Sequence, residues 1–159
     1  MFGRIFPKRL DNEYRGYKLG IWLLLLLLLF KTSISVNALG WNPMMSNHEV
    51  LQRADRIPLD TFGADAAKAA VLLFAVWGVT HLVLNVLGFI AAIRYRAMIP
   101  LLYLLLLADH IGRKAIVDMN PIARTPAAFE IPVNLIVIAL LLIGLGLSLA
   151  TPRGREDGA

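Results

Sequence analysis

The chain has no cysteine in its 159 residues. That excludes disulfides, thiolate zinc sites, iron–sulfur clusters, thiol catalysis and lipid anchors attached through cysteine. Charge is also scarce: 17% of residues are charged, where soluble domains carry about 25%. There is no GxSxG, no HExxH, no P-loop and no GxGxxG ahead of a helix, the patterns that place a nucleophile, a zinc ion or a nucleotide phosphate. Paired carboxylates for acid–base work are missing too, since Asp55 and Asp60 lie in a polar connecting segment. The expectation is a protein that is not an enzyme and has no resident cofactor. Internal repeats are absent, and the seven leucines from Leu23 to Leu29 are explained by apolar anchoring alone.

Apolar residues are abundant, at 58% of the chain. A soluble domain of this length buries only about two-thirds of its unfolded surface, so such a chain leaves much apolar material for lipid to cover. Four segments, residues 19–39, 69–93, 97–117 and 131–150, approach the roughly 20 residues that a helix needs to cross a bilayer. They are too long and too continuously apolar for barrel strands. The expected fold is all-α: a single membrane domain over residues 1–159, built as a four-helix transmembrane bundle with a short amphipathic helix in the first outer loop.

Orientation follows from the basic residues. Placing the N-terminus in the cytoplasm puts Arg4, Lys8, Arg9, Arg15, Lys18, Arg94, Arg96, Arg153 and Arg155 inside. Arg53, Arg56, Lys68, Arg113, Lys114 and Arg124 then lie outside. The positive-inside rule favours that arrangement, with both termini cytoplasmic. The lipid bilayer is the expected partner, together with other membrane proteins or further copies of the chain. The positive charge is what topology demands, so no nucleic-acid partner is inferred. A cleaved signal peptide ending near Val36-Asn37-Ala38 is an alternative; Lys31, between the apolar run and that cut, opposes it.

The first outer loop, residues 40–68, opens with Trp41 at an interfacial position and the turn-forming pair Asn42-Pro43. Ser46 or Asn47 can cap a short helix running to Arg56, with Val50, Leu51, Ala54 and Ile57 on one face. Pro58 ends it, and Leu59 to Gly63 reads as a turn. Arg94-Tyr95-Arg96 is a tight connection, and Pro100 suits the first turn of the following helix. The second outer loop, residues 118–130, holds Pro121 and Pro126 and reads as rigid and extended.

The connection at residues 94–96 makes its two helices a hairpin, so depth can be compared at about 1.5 Å per residue. His81 and His110 then lie at a similar depth, roughly 18–20 Å from the cytoplasmic boundary. Lys31 and Asp109 reach the same level, and Asn85 lies one turn from His81. Ionisable groups in hydrocarbon cost about 2.5–3.5 kcal/mol each on insertion scales, so they face a bundle interior and pair. Lys31, His81, Asn85, Asp109 and His110 therefore form the candidate site, a polar intramembrane layer. Lys31 with Asp109 is one pairing; Asp109 with Arg113, four residues on, is another. The structural alternatives are a snorkelling Lys31, a neutral core imidazole at His81, and an α-helical end in the outer headgroups for Asp109 to Lys114. Gly78, Gly88, Gly144 and Gly146 permit close helix approach.

Three roles remain open on the sequence. One is an accessory or scaffold component of a membrane complex. Another is a transport-related protein or proton relay using the polar layer. The third is a small electron-transfer protein holding haem b between His81 and His110. Three stretches, residues 57–62, 94–101 and 121–125, resemble segments of small bacterial inner-membrane proteins with four predicted helices. The resemblance implies a bacterial inner membrane and no particular activity.

Overall fold

A computed structural model describes residues 2–7, 9–124 and 133–151. The described residues are helical, with no strand among them. The elements are α1 (Phe2–Ile5), α2 (Lys18–Ala38), α3 (Asn47–Ala54), α4 (Ala64–Arg94), α5 (Ile99–Met119) and α6 (Val133–Leu149), with 3-10 turns at Leu59–Thr61 and Arg96–Met98. Two of these helices, α2 and α4, are long and apolar enough to cross a membrane; α6 is apolar but only 17 residues long. The expectations for Pro126 and Glu130 in the second outer loop lie outside the described residues, as do those for Lys8, Arg153 and Arg155.

The long helices differ in detail from the apolar segments that announce them. α4 begins at Ala64, five residues before the apolar run, because Ala64, Ala66, Ala67, Ala69 and Ala70 are strong helix formers that carry the helix through Asp65 and Lys68. The connection after Arg94 is a single residue, Tyr95, followed by the 3-10 turn, and α5 starts at Ile99 with Pro100 in its first turn. α5 continues as helix through Asp109, Arg113, Lys114 and Asp118 to Met119. Two i,i+4 ion pairs along it, Arg113 with Asp109 at 3.4 Å and Lys114 with Asp118 at 2.7 Å, support that continuation.

The chain divides into two compact units, and α2 and α4 each contribute to both. The first comprises residues 1–28, 87–119 and 132–159. Its core joins Leu24, Leu27 and Leu28 of α2, Ala92 of α4, Ile99, Tyr103 and Leu107 of α5, and Val137 and Leu141 of α6. The contacts on each helix fall three or four residues apart, so each presents one narrow seam. Tyr103 is the keystone: it is fully buried, its hydroxyl donates to the Gly20 carbonyl at 2.6 Å, and its ring lies against Gly144 where any Cβ would stand. Gly88 likewise admits Leu28, but Gly146 has open space around it and plays no part in close approach. The chain ahead of α2 is held to the end of α6, where Tyr17 N donates to Leu147 O at 3.0 Å.

The second unit comprises residues 29–86 and 120–131. Here α2 ends in a Schellman motif: Gly40 takes φ 70°, its amide donates to Asn37 O, and Trp41 N donates to Val36 O. Ser46 caps α3 in a complete capping box with Glu49. Val50 and Leu51 are buried, while His48 and Gln52 reach Asp60 on the following turn at 3.5 and 2.6 Å. α3 stops at Ala54, two residues short of Arg56, because Arg56 itself adopts the left-handed conformation at φ 58°.

Candidate functional site

Polar side chains occupy the buried seams of the long helices. On α2, Leu24, Leu27, Leu28, Lys31, Ser35 and Ala38 are all buried and recur at helical spacing. A lysine and a serine thus share the stripe with the core leucines. On α4 the buried positions are Gly78, Asn85, Gly88, Ala91 and Ala92, small residues with one amide among them. On α5 the seam ends at His110, and on α6 it ends at Ser148.

In the second unit, Asn85 and Ser35 meet. Asn85 is 2% exposed and Ser35 fully buried. Asn85 Nδ2 donates to Ser35 Oγ at 3.5 Å, and Ser35 Oγ donates back along α2 to the Lys31 carbonyl at 3.1 Å. The helices approach closely there because Gly78 has no Cβ; an added one would stand 2.8 Å from Ala38 Cβ and 3.2 Å from Ser35 O. Lys31 is buried on the same stripe. His81 lies one turn before Asn85, with its imidazole 4.3 Å from the Trp77 ring at a 48° tilt. Trp77 in turn stacks on Phe74 at 5.6 Å.

Asp109 and His110 belong to the first unit. Arg113 ties them together, with its Nε 3.4 Å from Asp109 Oδ1 and its Nη2 3.5 Å from His110 Nδ1. His110 is buried, while the ion pair beside it is about one-third exposed, at 31% for the Asp109 side chain and 39% for Arg113. Of the five residues of the expected layer, Lys31, His81 and Asn85 belong to the second unit and Asp109 and His110 to the first.

Ser35 stands outside the expected layer; its position four residues after Lys31, on the same helix face, was the available signal. Arg113, named only as a partner for Asp109, also bears on His110. No group of three or more His, Asp or Glu side chains among the described residues has metal-binding geometry. The chain matches no known protein family, no curated protein and no solved structure.

Proposed function

We propose that the chain is an integral protein of a bacterial inner membrane, spanning it with α2, α4, α5 and α6 and keeping both termini in the cytoplasm. Its role is that of an accessory component that packs against another membrane protein through α4. The observation that carries the membrane reading is an inverted distribution of polarity. Lys31, Ser35, Asn85, His110 and Ser148 are buried, whereas Leu26 and Leu29 of α2, Leu73 and Leu84 of α4, and Leu142 and Ile143 of α6 are more than half exposed. In water that arrangement is unfavourable by about 25 cal/mol for each Å² of apolar surface left wet. In lipid it costs nothing, and buried polar groups become the groups that hold helices together.

The accessory role rests on α4. Of its apolar window only 11% is buried by the rest of the chain, against 33% for α2. A transmembrane partner covers such a helix at little cost, since the exposed face, with Leu73, Val76 and Leu84, is apolar and helix packing in lipid is driven by van der Waals contact. A photo-crosslinking amino acid at Leu73, Val76 or Leu84 in intact cells tests this. One protein adduct of constant size, from positions on one face of α4, is expected. Adducts with lipid alone, from every position, contradict the accessory role and leave the membrane placement standing.

The Asp109, Arg113 and His110 cluster favours a second reading, proton relay, because histidine titrates near neutrality and a carboxylate–guanidinium pair sets its field. Proteoliposomes under an imposed pH gradient distinguish it. A relay raises proton leakage above that of protein-free vesicles and loses the increase in His110→Gln; equal leakage in all three rejects it.

A further inference from the structure

A cavity of about 340 Å³ opens in the first unit where the N-terminal segment meets the ends of the long helices. Four arginines line it: Arg4, Arg9 and Arg15 from the segment ahead of α2, and Arg96 from the turn before α5. Asp11 and Glu13 line it as well. Four guanidinium groups against two carboxylates leave an excess of two positive charges. One carboxylate is already engaged, since Glu13 pairs with Arg15 at 3.4 Å.

Contacts within the unit hold Arg4, Arg96 and the N-terminal segment in place. Arg4 Nη1 donates to Leu149 O at 2.6 Å and Nη2 to Thr151 Oγ1 at 3.0 Å, which anchors the side chain on the C-terminal end of α6 and offsets the negative end of that helix. Arg96 Nε donates to Ala92 O at 3.4 Å, a bond that engages neither of its terminal nitrogens. Asp11 O accepts from Ala97 N at 3.3 Å, fixing the N-terminal segment against the turn. The Tyr14 hydroxyl is protonated at physiological pH, as an ordinary tyrosine is, and burial pushes its pKa further up, to about 12. It adds no negative charge to the cavity. Pro7, Pro100 and Ala97 supply apolar wall.

We propose that this cavity binds a phosphate group, with the guanidinium groups of Arg9 and Arg96 as its recognition elements and those of Arg4 and Arg15, already engaged within the chain, adding positive charge to its wall. Guanidinium forks match phosphate oxygens in pairs, which a lysine cluster does not do. Two sources share that chemistry. A phospholipid headgroup is one: the cavity lies where α2 and α5 begin and α4 and α6 end, which is the headgroup level if those helices span a bilayer, and the apolar wall suits the glycerol. A soluble phosphate is the other. The cavity depends only on contacts within the first unit, so its ligand is independent of whether α4 has a partner.

Native mass spectrometry of the full chain in one detergent tests the proposal with three probes: dioctanoyl phosphatidylglycerol, dioctanoylglycerol and inorganic phosphate. Phosphatidylglycerol or phosphate is expected to bind, and dioctanoylglycerol, which lacks the phosphate, is not. The double variant Arg9→Gln with Arg96→Gln loses tenfold or more in affinity, about 1.4 kcal/mol. Arg53→Gln with Lys68→Gln, outside the cavity, leaves binding unchanged. Arg9→Gln alone, expected to weaken binding severalfold, serves where the double variant does not fold. Binding of phosphatidylglycerol that phosphate fails to displace identifies a headgroup site, and binding of phosphate alone identifies a soluble ligand. Equal losses in the two double variants, binding of dioctanoylglycerol, or no binding of either phosphate probe at millimolar concentration overturns the proposal.

Discussion

Tyr103 is a fully buried side chain that touches α6 through its ring and α2 through its hydroxyl. Two glycines on α6 give a matched test. Gly144→Ala forces a methyl group into the Tyr103 ring and is expected to destabilise the protein by about 1–3 kcal/mol, the usual cost of overpacking. Gly146→Ala meets open space and is expected to be neutral or slightly stabilising. Thermal unfolding in one detergent separates them, and a larger loss in Gly146→Ala refutes the packing described for α6. Asn85 and Ser35 provide a polar counterpart. A double-mutant cycle with Asn85→Ala and Ser35→Ala is expected to return a coupling of about 0.6 kcal/mol, and no more than about 1.7, the range of interhelical hydrogen bonds in membranes. A coupling of zero leaves Asn85 as a buried side chain with no energetic link to α2. Neither contact was legible in advance. The sequence marks Tyr103 only as an aromatic in an apolar run, and the glycines look alike until their neighbours are placed.

Among the elements, α3 was the most legible in its start and the least in its end. Ser46 followed three residues later by Glu49 is a local signal, because both hydrogen bonds of the capping box close within one turn. The stop came from Arg56 in a left-handed conformation, which residue identity does not announce for an arginine. The start of α4 was legible in principle, in the alanines ahead of the apolar run, and was hidden by reading hydropathy alone. The capping box also carries a pH dependence. The backbone amide and then the hydroxyl of Ser46 hydrogen-bond the Glu49 carboxylate and hold its pKa below the usual value of 4.5. A lowered folded pKa means that the contribution is fully present above the ordinary carboxylate pKa and is lost as pH falls through the lowered value. Hydrogen exchange of the α3 amides, corrected for intrinsic rates, is therefore expected to show unchanged protection from pH 7 to about 5 and lower protection below about 4. Glu49→Gln removes that pH dependence. Protection that falls equally in the variant assigns the loss to another group.

For the whole molecule, composition was the strongest guide, since a chain so poor in charge and rich in leucine announces long apolar helices. The all-helical character and the long apolar spans of α2 and α4 follow from it. The arginine-lined cavity was out of reach, because it joins Arg4 to Leu149 across 145 positions of sequence. The proposed topology has α2, α4, α5 and α6 crossing the bilayer with both termini on the cytoplasmic side. The absence of cysteine makes every introduced thiol unique, so labelling of intact cells by a membrane-impermeant maleimide tests it most directly. Met44 and Met119, 90% and 78% exposed, follow α2 and end α5; Gly3 precedes α2 and Ile93 lies in the last turn of α4. Met44→Cys and Met119→Cys are expected to react in intact cells, whereas Gly3→Cys and Ile93→Cys react only after permeabilisation. Labelling of Gly3→Cys in intact cells, or protection of Met119→Cys while Met44→Cys reacts, contradicts it.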